Sequence, residues 1–222
     1  MVINMSKEEE AVDEEGSAEK MVTAEITEKA LFSSGIRIGS VARTAYMRKF
    51  IAETKQSGLN IIDINKALER IDVIAKMISR SNPKSVIVYS SKPYAETPVK
   101  RFCELTGTIP VVKRFLPGTI TNPLLKDYFE PELVIVSDPF YDKQAINEAS
   151  SMGIPVIAIC NTDNVVSNTD LIIPANNNGR KALAAVYWLL TRSVLLTTKV
   201  LTSNIAMKYT IDDFETKTEE ES

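Results

Sequence analysis

Two carboxylates stand where an active site would be sought. Asp138 follows the apolar run 133–136, and Asp163 follows a second run, 156–159. The stretch between them reads as strand, crossover helix (143–152) and strand. Both runs are short, β-branched and free of polar alternation, the mark of strands buried on both faces of a parallel sheet. Polar residues just after such strands lie on the edge where open α/β sheets take ligands. Asp138 and Asp163 could work there as acid and base, or hold a metal. The competing reading is turn geometry, since Asp and Asn side chains bond nearby backbone N–H groups. The rest of the chain favours the second reading. It has no histidine, which removes His-based zinc sites and every Ser-His or Cys-His nucleophile. Cys160 therefore lacks a base. Neither G-x-G-x-x-G nor G-x-x-x-x-G-K-[ST] occurs. No catalytic residue, metal ligand, cofactor or small-molecule substrate is expected.

Charge points elsewhere. The net charge of -3 hides an uneven distribution. Residues 1–20 carry two basic and seven acidic side chains, and 209–222 carry one and six. The core, 21–208, holds 23 basic against 16 acidic residues, and within it 37–114 holds fifteen against six. Such asymmetry suits a polyanion partner. Arg37, Arg43, Arg48 and Lys49 lie close together, and Lys113-Arg114 lead into a loop shaped by Pro117, Gly118 and Pro123. The cations assigned to RNA phosphate contact are Arg37, Arg43, Arg48, Lys49, Lys92, Lys113 and Arg114. Contacts of this kind position a protein on RNA without reading its sequence. Tyr46, beside them, is expected in the core rather than stacked on a base.

The elements that must hold these residues follow from pattern. A short helix is expected over 23–32, stopped by Gly35, then a tight loop (35–39) and a basic, irregular or helical patch (43–51). Strands are expected at 59–64, 86–89, 111–112, 133–136, 156–159 and 171–173. Helices are expected from an Asn65 cap to about Arg80, over 98–105 with Gly107 closing, over 143–152, and from Arg180 to about Lys199. Strands alternating with helices imply a three-layer α/β/α sandwich on a parallel sheet. Residues 21–208 read as one α/β RNA-binding domain. The flanking acidic tails, 1–20 and 209–222, are expected to be mobile in isolation and to compete with RNA for the same cations. Cys103 and Cys160 lie in apolar segments and are expected as buried thiols, which fits a reducing cytoplasm. No apolar run has the length of a membrane span, and the N-terminus is acidic rather than signal-like, so no membrane partner is expected.

The sequence resembles the universal small-subunit ribosomal protein two family, in the archaeal/eukaryotic branch that includes the laminin-receptor precursor. The likeness covers about residues 26–200. It rests on the segment from Arg114 to Asn122 (RFLPGTITN), on Ser137-Asp138-Pro139 with Gln144-Ala145 and Glu148-Ala149-Ser150, and on the segment from Gly153 to Asp163 (GIPVIAICNTD). Ile173-Pro174-Ala175-Asn176-Asn177 and Trp188-Leu189-Leu190 with Arg192 complete it. The resemblance implies a flavodoxin-like parallel sheet without catalysis, on the ribosome in the cytoplasm. It implies binding to small-subunit ribosomal RNA near the head–body junction, beside neighbouring small-subunit proteins, and a role in late assembly and initiation. The helical hairpin of bacterial members is absent, which favours the archaeal form. Three positions depart from the family pattern. Gly35-Ile36-Arg37-Ile38-Gly39 stands where the family has a central histidine. Phe140-Tyr141 and Asn178 stand where basic residues are usual, which implies two missing phosphate contacts.

Overall fold

A computed structural model describes residues 33–201 and 209–217. The expected helix at 23–32 and the acidic tail at 1–20 lie outside the described residues, and the sheets with their helices belong to the unit from Gly35 onward. Strands β1 (Ile51–Thr54) and β2 (Asn60–Ile62) form an antiparallel two-stranded sheet. Helix α1 is Ile64–Arg80. Then come β3 (Val86–Ser90), α2 (Glu96–Thr106), β4 (Ile109–Val112), β5 (Leu133–Val136), α3 (Lys143–Ser151), β6 (Val156–Cys160), β7 (Leu171–Pro174) and α4 (Arg180–Thr197). Five strands make one parallel sheet in the order β4-β3-β5-β6-β7. That is the flavodoxin-like order, with its reversal between β3 and β5.

The strands β3, β5 and β6 are buried at every position, as their unbroken apolar runs require. Helices α1, α2 and α4 share one face of the sheet. α4 lies between the other two, and α1 also reaches β7. α4 buries residues all round, from Ala182 to Leu195, each large apolar side chain contributing roughly 1.5–3 kcal/mol. The opposite face carries α3, with Phe115 and Ile120 from the loop after β4 and Met47 and Phe50 from the turn before β1. Gly107, in the left-handed region at φ 76°, closes α2 as expected.

Three expectations change. The stretch at 59–64 does not join the parallel sheet. It contributes β2, which pairs with β1, because an apolar run specifies burial and not its partner. Asp63, not Asn65, caps α1: the Asp63 carboxylate accepts the Asn65 N–H at 3.1 Å, and the helix begins at Ile64, two residues earlier than an Asn65 cap implies. The first part of the acidic C-terminal stretch is docked. Phe214 is fully buried against the α2–α4 layer, Trp188 Nε1 donates to Tyr209 O at 2.7 Å, and Thr216 Oγ1 donates to Tyr94 O at 2.9 Å. One buried aromatic residue and two hydrogen bonds hold the segment despite its acids.

Candidate nucleic-acid interface

The first of the predicted binding elements, the segment from Gly35 to Thr44, is a strap laid across the ends of β6 and β7. Asn176 N donates to Ile36 O at 2.9 Å, and Thr44 N donates to Thr162 O at 2.9 Å. Thr162 Oγ1 accepts from Ser40 N at 2.8 Å and donates to Ala42 O at 3.0 Å. From the other side Asn60 Nδ2 donates to Ser40 O at 2.7 Å and Val41 O at 3.0 Å. Gly39 is required by the fit. A Cβ there would lie 2.6 Å from Thr162 Cγ2 and 2.7 Å from Asn60 O. The strand-end edge that could hold a ligand at β6 and β7 is thus occupied by the chain itself.

The cations stand on the outside of this strap and on the hairpin behind it. Arg43 and Arg48 are exposed and Arg37 is half-buried. Arg37 Nε donates to Ile62 O at 3.4 Å, and Arg43 Nη1 to Thr54 Oγ1 at 3.4 Å. Tyr46 is not in the core. It is 43% exposed, with the Lys49 ammonium 3.7 Å from its ring centroid. The sequence reading missed two members of this group. Lys66 Nζ donates to Lys49 O at 2.7 Å, and the Arg70 guanidinium lies 5.6 Å from the Phe50 ring. Their signal was available: they sit four apart on the polar face of α1, within its first two turns.

Lys113 and Arg114 are exposed at the end of the edge strand β4, apart from the strap. Lys113 adopts φ 78°, which costs a side-chain-bearing residue about 1–2 kcal/mol. The backbone is pinned there. Tyr89 Oη donates to Lys113 O at 3.1 Å and accepts from Phe115 N at 3.0 Å. The Tyr89 phenol is held above its usual pKa by burial first, then by the nearby Asp142 charge. The following loop is held by a buried carboxylate. Glu148 accepts from Gly118 N at 2.8 Å, from Ile120 N at 3.4 Å and from Gln144 Nε2 at 2.7 Å. Glu148 is an acid within the apolar stripe of α3 (Ala145, Ile146, Ala149), a misfit that could have flagged it.

Lys92 must be withdrawn from the phosphate-binding set. Its side chain is 10% exposed and pairs with Asp138 at 2.5 Å. Its ammonium also donates to Asn177 O at 2.8 Å and to Asn178 Oδ1 at 2.9 Å. Three donors are taken inside the protein, so none is offered to a phosphate. Asp138 and Asp163 do not converge: Asp138 is buried and Asp163 is exposed. Asp138 Oδ1 accepts from Phe140 N at 2.8 Å and from Asn164 Nδ2 at 3.2 Å, which is turn geometry. A third acid, Asp142, went unnoticed. It is fully buried, and its carboxylate accepts from Ser91 N, Ser91 Oγ and Asp138 N. Burial pushes it up to about 6, against the pull of those hydrogen bonds. Both cysteines are free and buried, and burial raises the Cys103 thiol to about 12. Among the described residues no group of His, Cys, Asp and Glu could hold a metal ion, and no helix is long and apolar enough to cross a membrane.

The class these features define is an α/β scaffold of flavodoxin-like order that covers its own strand-end edge and turns a cationic surface outward. The comparisons with known proteins narrow it. The sequence matches the family model of ribosomal protein S2 over residues 31–126 and 124–196. It is 51% identical over 193 residues to the small ribosomal subunit protein uS2 of Nitrosopumilus maritimus, across 87% of this chain and 93% of that protein. The same-named protein of Thermofilum pendens is 46% identical over 185 residues, 83% of this chain and 86% of its own. That of Thermoplasma acidophilum is 43% identical over 190 residues, 86% and 96%. The chain belongs to the ribosomal protein S2 family. That family is structural, so the chain is not an enzyme.

Proposed function

We propose that the protein is a structural constituent of the small ribosomal subunit, bound to small-subunit ribosomal RNA near the head–body junction beside other small-subunit proteins, and that it supports subunit assembly and translation in the cytoplasm. The observation that carries the RNA contact is the strap: a backbone fixed on the strand ends, with Arg37 and Arg43 on it, Arg48 and Lys49 on the turn that follows, and Lys66 and Arg70 behind. A rigid backbone bearing arginines suits phosphate contact, because the guanidinium fork loses little freedom on binding. Lys113 and Arg114 supply a second contact beyond β4. In this reading 21–208 is the RNA-binding domain, 1–20 is an acidic extension, and 209–222 is an acidic end whose first part is anchored by Phe214.

Sucrose-gradient fractionation of cell extract tests the assignment. The protein is expected in the small-subunit fractions, and free protein at the top with none in those fractions refutes it. Replacing Arg37, Arg43 and Arg48 together with serine is expected to release the protein from subunits at moderate salt, while Asp163→Asn leaves it in place. The reverse pattern would return the weight to the strand-end acids.

A further inference from the structure

The loop 137–142 carries two aromatic side chains that the domain itself leaves in water. Phe140 is 76% exposed and Tyr141 63%. Their rings meet edge to face, 5.3 Å between centroids and 84° apart, and the Lys92 ammonium lies 5.2 Å from the Tyr141 centroid. The backbone beneath them is fixed at both ends. Asp138 Oδ1 accepts the Phe140 N–H at 2.8 Å, Asp142 N donates to Asp138 O at 2.9 Å, and Asp142 Oδ2 accepts the Asp138 N–H at 3.1 Å. A partner that stacks here therefore orders little that is not already ordered.

The surroundings decide what kind of partner fits. The Asn164–Asp138 hydrogen bond joins this loop to the one after β6. Across 138–143 and 161–168 the other exposed side chains are Lys143, Asp163, Val165, Ser167 and Asn168, polar apart from Val165. A protein hot spot sits within a wider apolar surface that excludes water, and these loops do not supply one. A nucleobase asks only for a ring face. Positive charge is not in excess close by: Lys92 is paired with Asp138, and the exposed Lys143 is offset by the exposed Asp163. A contact through the rings would thus add stacking without adding a phosphate. The loop follows β5, on the strand-end edge where the strap is laid over the ends of β6 and β7 and where Lys113-Arg114 follow β4.

We propose that Phe140 and Tyr141 form a stacking platform for an unpaired RNA base, set between the two cationic groups. This rests on the RNA-binding reading above. The test compares full-length protein with the double variant Phe140→Ala/Tyr141→Ala and the triple variant Arg37→Ser/Arg43→Ser/Arg48→Ser. The probes are a short single-stranded oligoadenylate and an abasic oligomer of equal length. The double variant is expected to lose about 5- to 150-fold in affinity for oligoadenylate, the range for one stacked base. It should lose nothing on the abasic oligomer and keep the salt slope. Phe140→Trp should retain binding. Equal affinity of wild type and double variant for oligoadenylate, or an equal loss on both oligomers, overturns the platform. If the triple variant is weakened while the double variant is not, only the platform falls. If wild type binds neither oligomer, the RNA reading falls with it. A double variant with wild-type RNA affinity that fails to enter small subunits assigns the rings to a protein partner and overturns the proposal.

Discussion

Replacing Lys92 with methionine separates a structural cation from an RNA-binding one. The side chains of Lys92 and Asp138 are 10% and 3% exposed, and the ammonium makes its three contacts inside the fold. Methionine keeps most of the stem and removes the charge with all three hydrogen bonds. Breaking a buried pair by removing one partner costs about 3–5 kcal/mol, because the other charge stays buried. Asp138 keeps the Phe140 N–H and the Asn164 amide, which puts the cost at the lower end, about 3 kcal/mol. For a chain of 222 residues, each kcal/mol moves Tm by about 2–4 °C, so a fall of about 6–12 °C is expected. The salt dependence of RNA affinity should not change, since no phosphate contact is lost. Arg43→Gln should do the opposite: Tm stays put, and the slope of log K against log salt falls by about 0.7–0.9. Thermal denaturation followed by circular dichroism, with RNA titrations at several salt concentrations, reads both quantities. If Lys92→Met keeps Tm and lowers the slope by one contact, the internal assignment of Lys92 is refuted.

Three further expectations follow from single contacts. Gly39→Ala drives a methyl group into Thr162 and the Asn60 carbonyl, so the strap should shift at a cost of about 1–3 kcal/mol; hydrogen exchange of the Ser40 and Thr44 amides should rise, and unchanged protection would show that the strap is not clamped there. Asp142 has its folded pKa raised from 3.8 to about 6, so the fold favours its neutral form. Its contribution is greatest below about pH 4 and declines as pH rises to about 6, where the ionised carboxylate must stay buried; urea unfolding of wild type relative to Asp142→Asn should show that decline, on the order of 2–3 kcal/mol, and a flat difference across the window would refute it. Phe214→Ala removes the anchor of 209–217, so limited proteolysis should cut there faster while the far-ultraviolet spectrum holds, and an unchanged cleavage rate would mean that the hydrogen bonds from Trp188 and Thr216 suffice.

Much of the sheet was legible because a strand buried on both faces has a distinctive composition. Val86–Ser90, Leu133–Val136 and Val156–Cys160 are such runs, and each lies where the pattern put it. β2 was legible as a strand but not as a member of the smaller sheet, since its partner β1 is mostly exposed and carries no apolar signal. Arg43, Arg48, Lys49, Lys113 and Arg114 are exposed cations, as the charge map expected. Lys92 was misread because composition cannot tell an inward cation from an outward one. Its partner Asp138 is distant in sequence and is brought close only by the pairing of β3 with β5. Tyr46 was misread for a related reason: a single aromatic more often packs in the core than stacks on a partner, and the sequence does not show that Lys49 covers its ring at the surface.

The crowd of polar residues at the strand ends fits a ligand site and a scaffold equally well, and hydrogen bonding separates the two. In the flavodoxin-like order a ligand enters where the connections leaving the neighbouring strands β3 and β5 part. Here Lys92 follows β3, Asp138 follows β5, and they close on each other at that point. At β6 and β7 the strap is held by Thr162 and Asn176, while the Asn177 amide nitrogen bonds Asn164 and the Ile159 carbonyl, its buried Oδ1 alone being left without a partner among the described residues. Polar groups that have found partners within their own chain act as clamps, because a bound ligand would have to displace bonds already made. The strain at Lys113 fits the same economy: its backbone is held in an unfavourable conformation by Tyr89, and its ammonium is left in solvent. Interior polar groups hold the frame, and Arg43, Arg48, Lys49, Lys113 and Arg114 stand in solvent, so the same order of strands that forms a ligand site in some families is closed here by its own side chains.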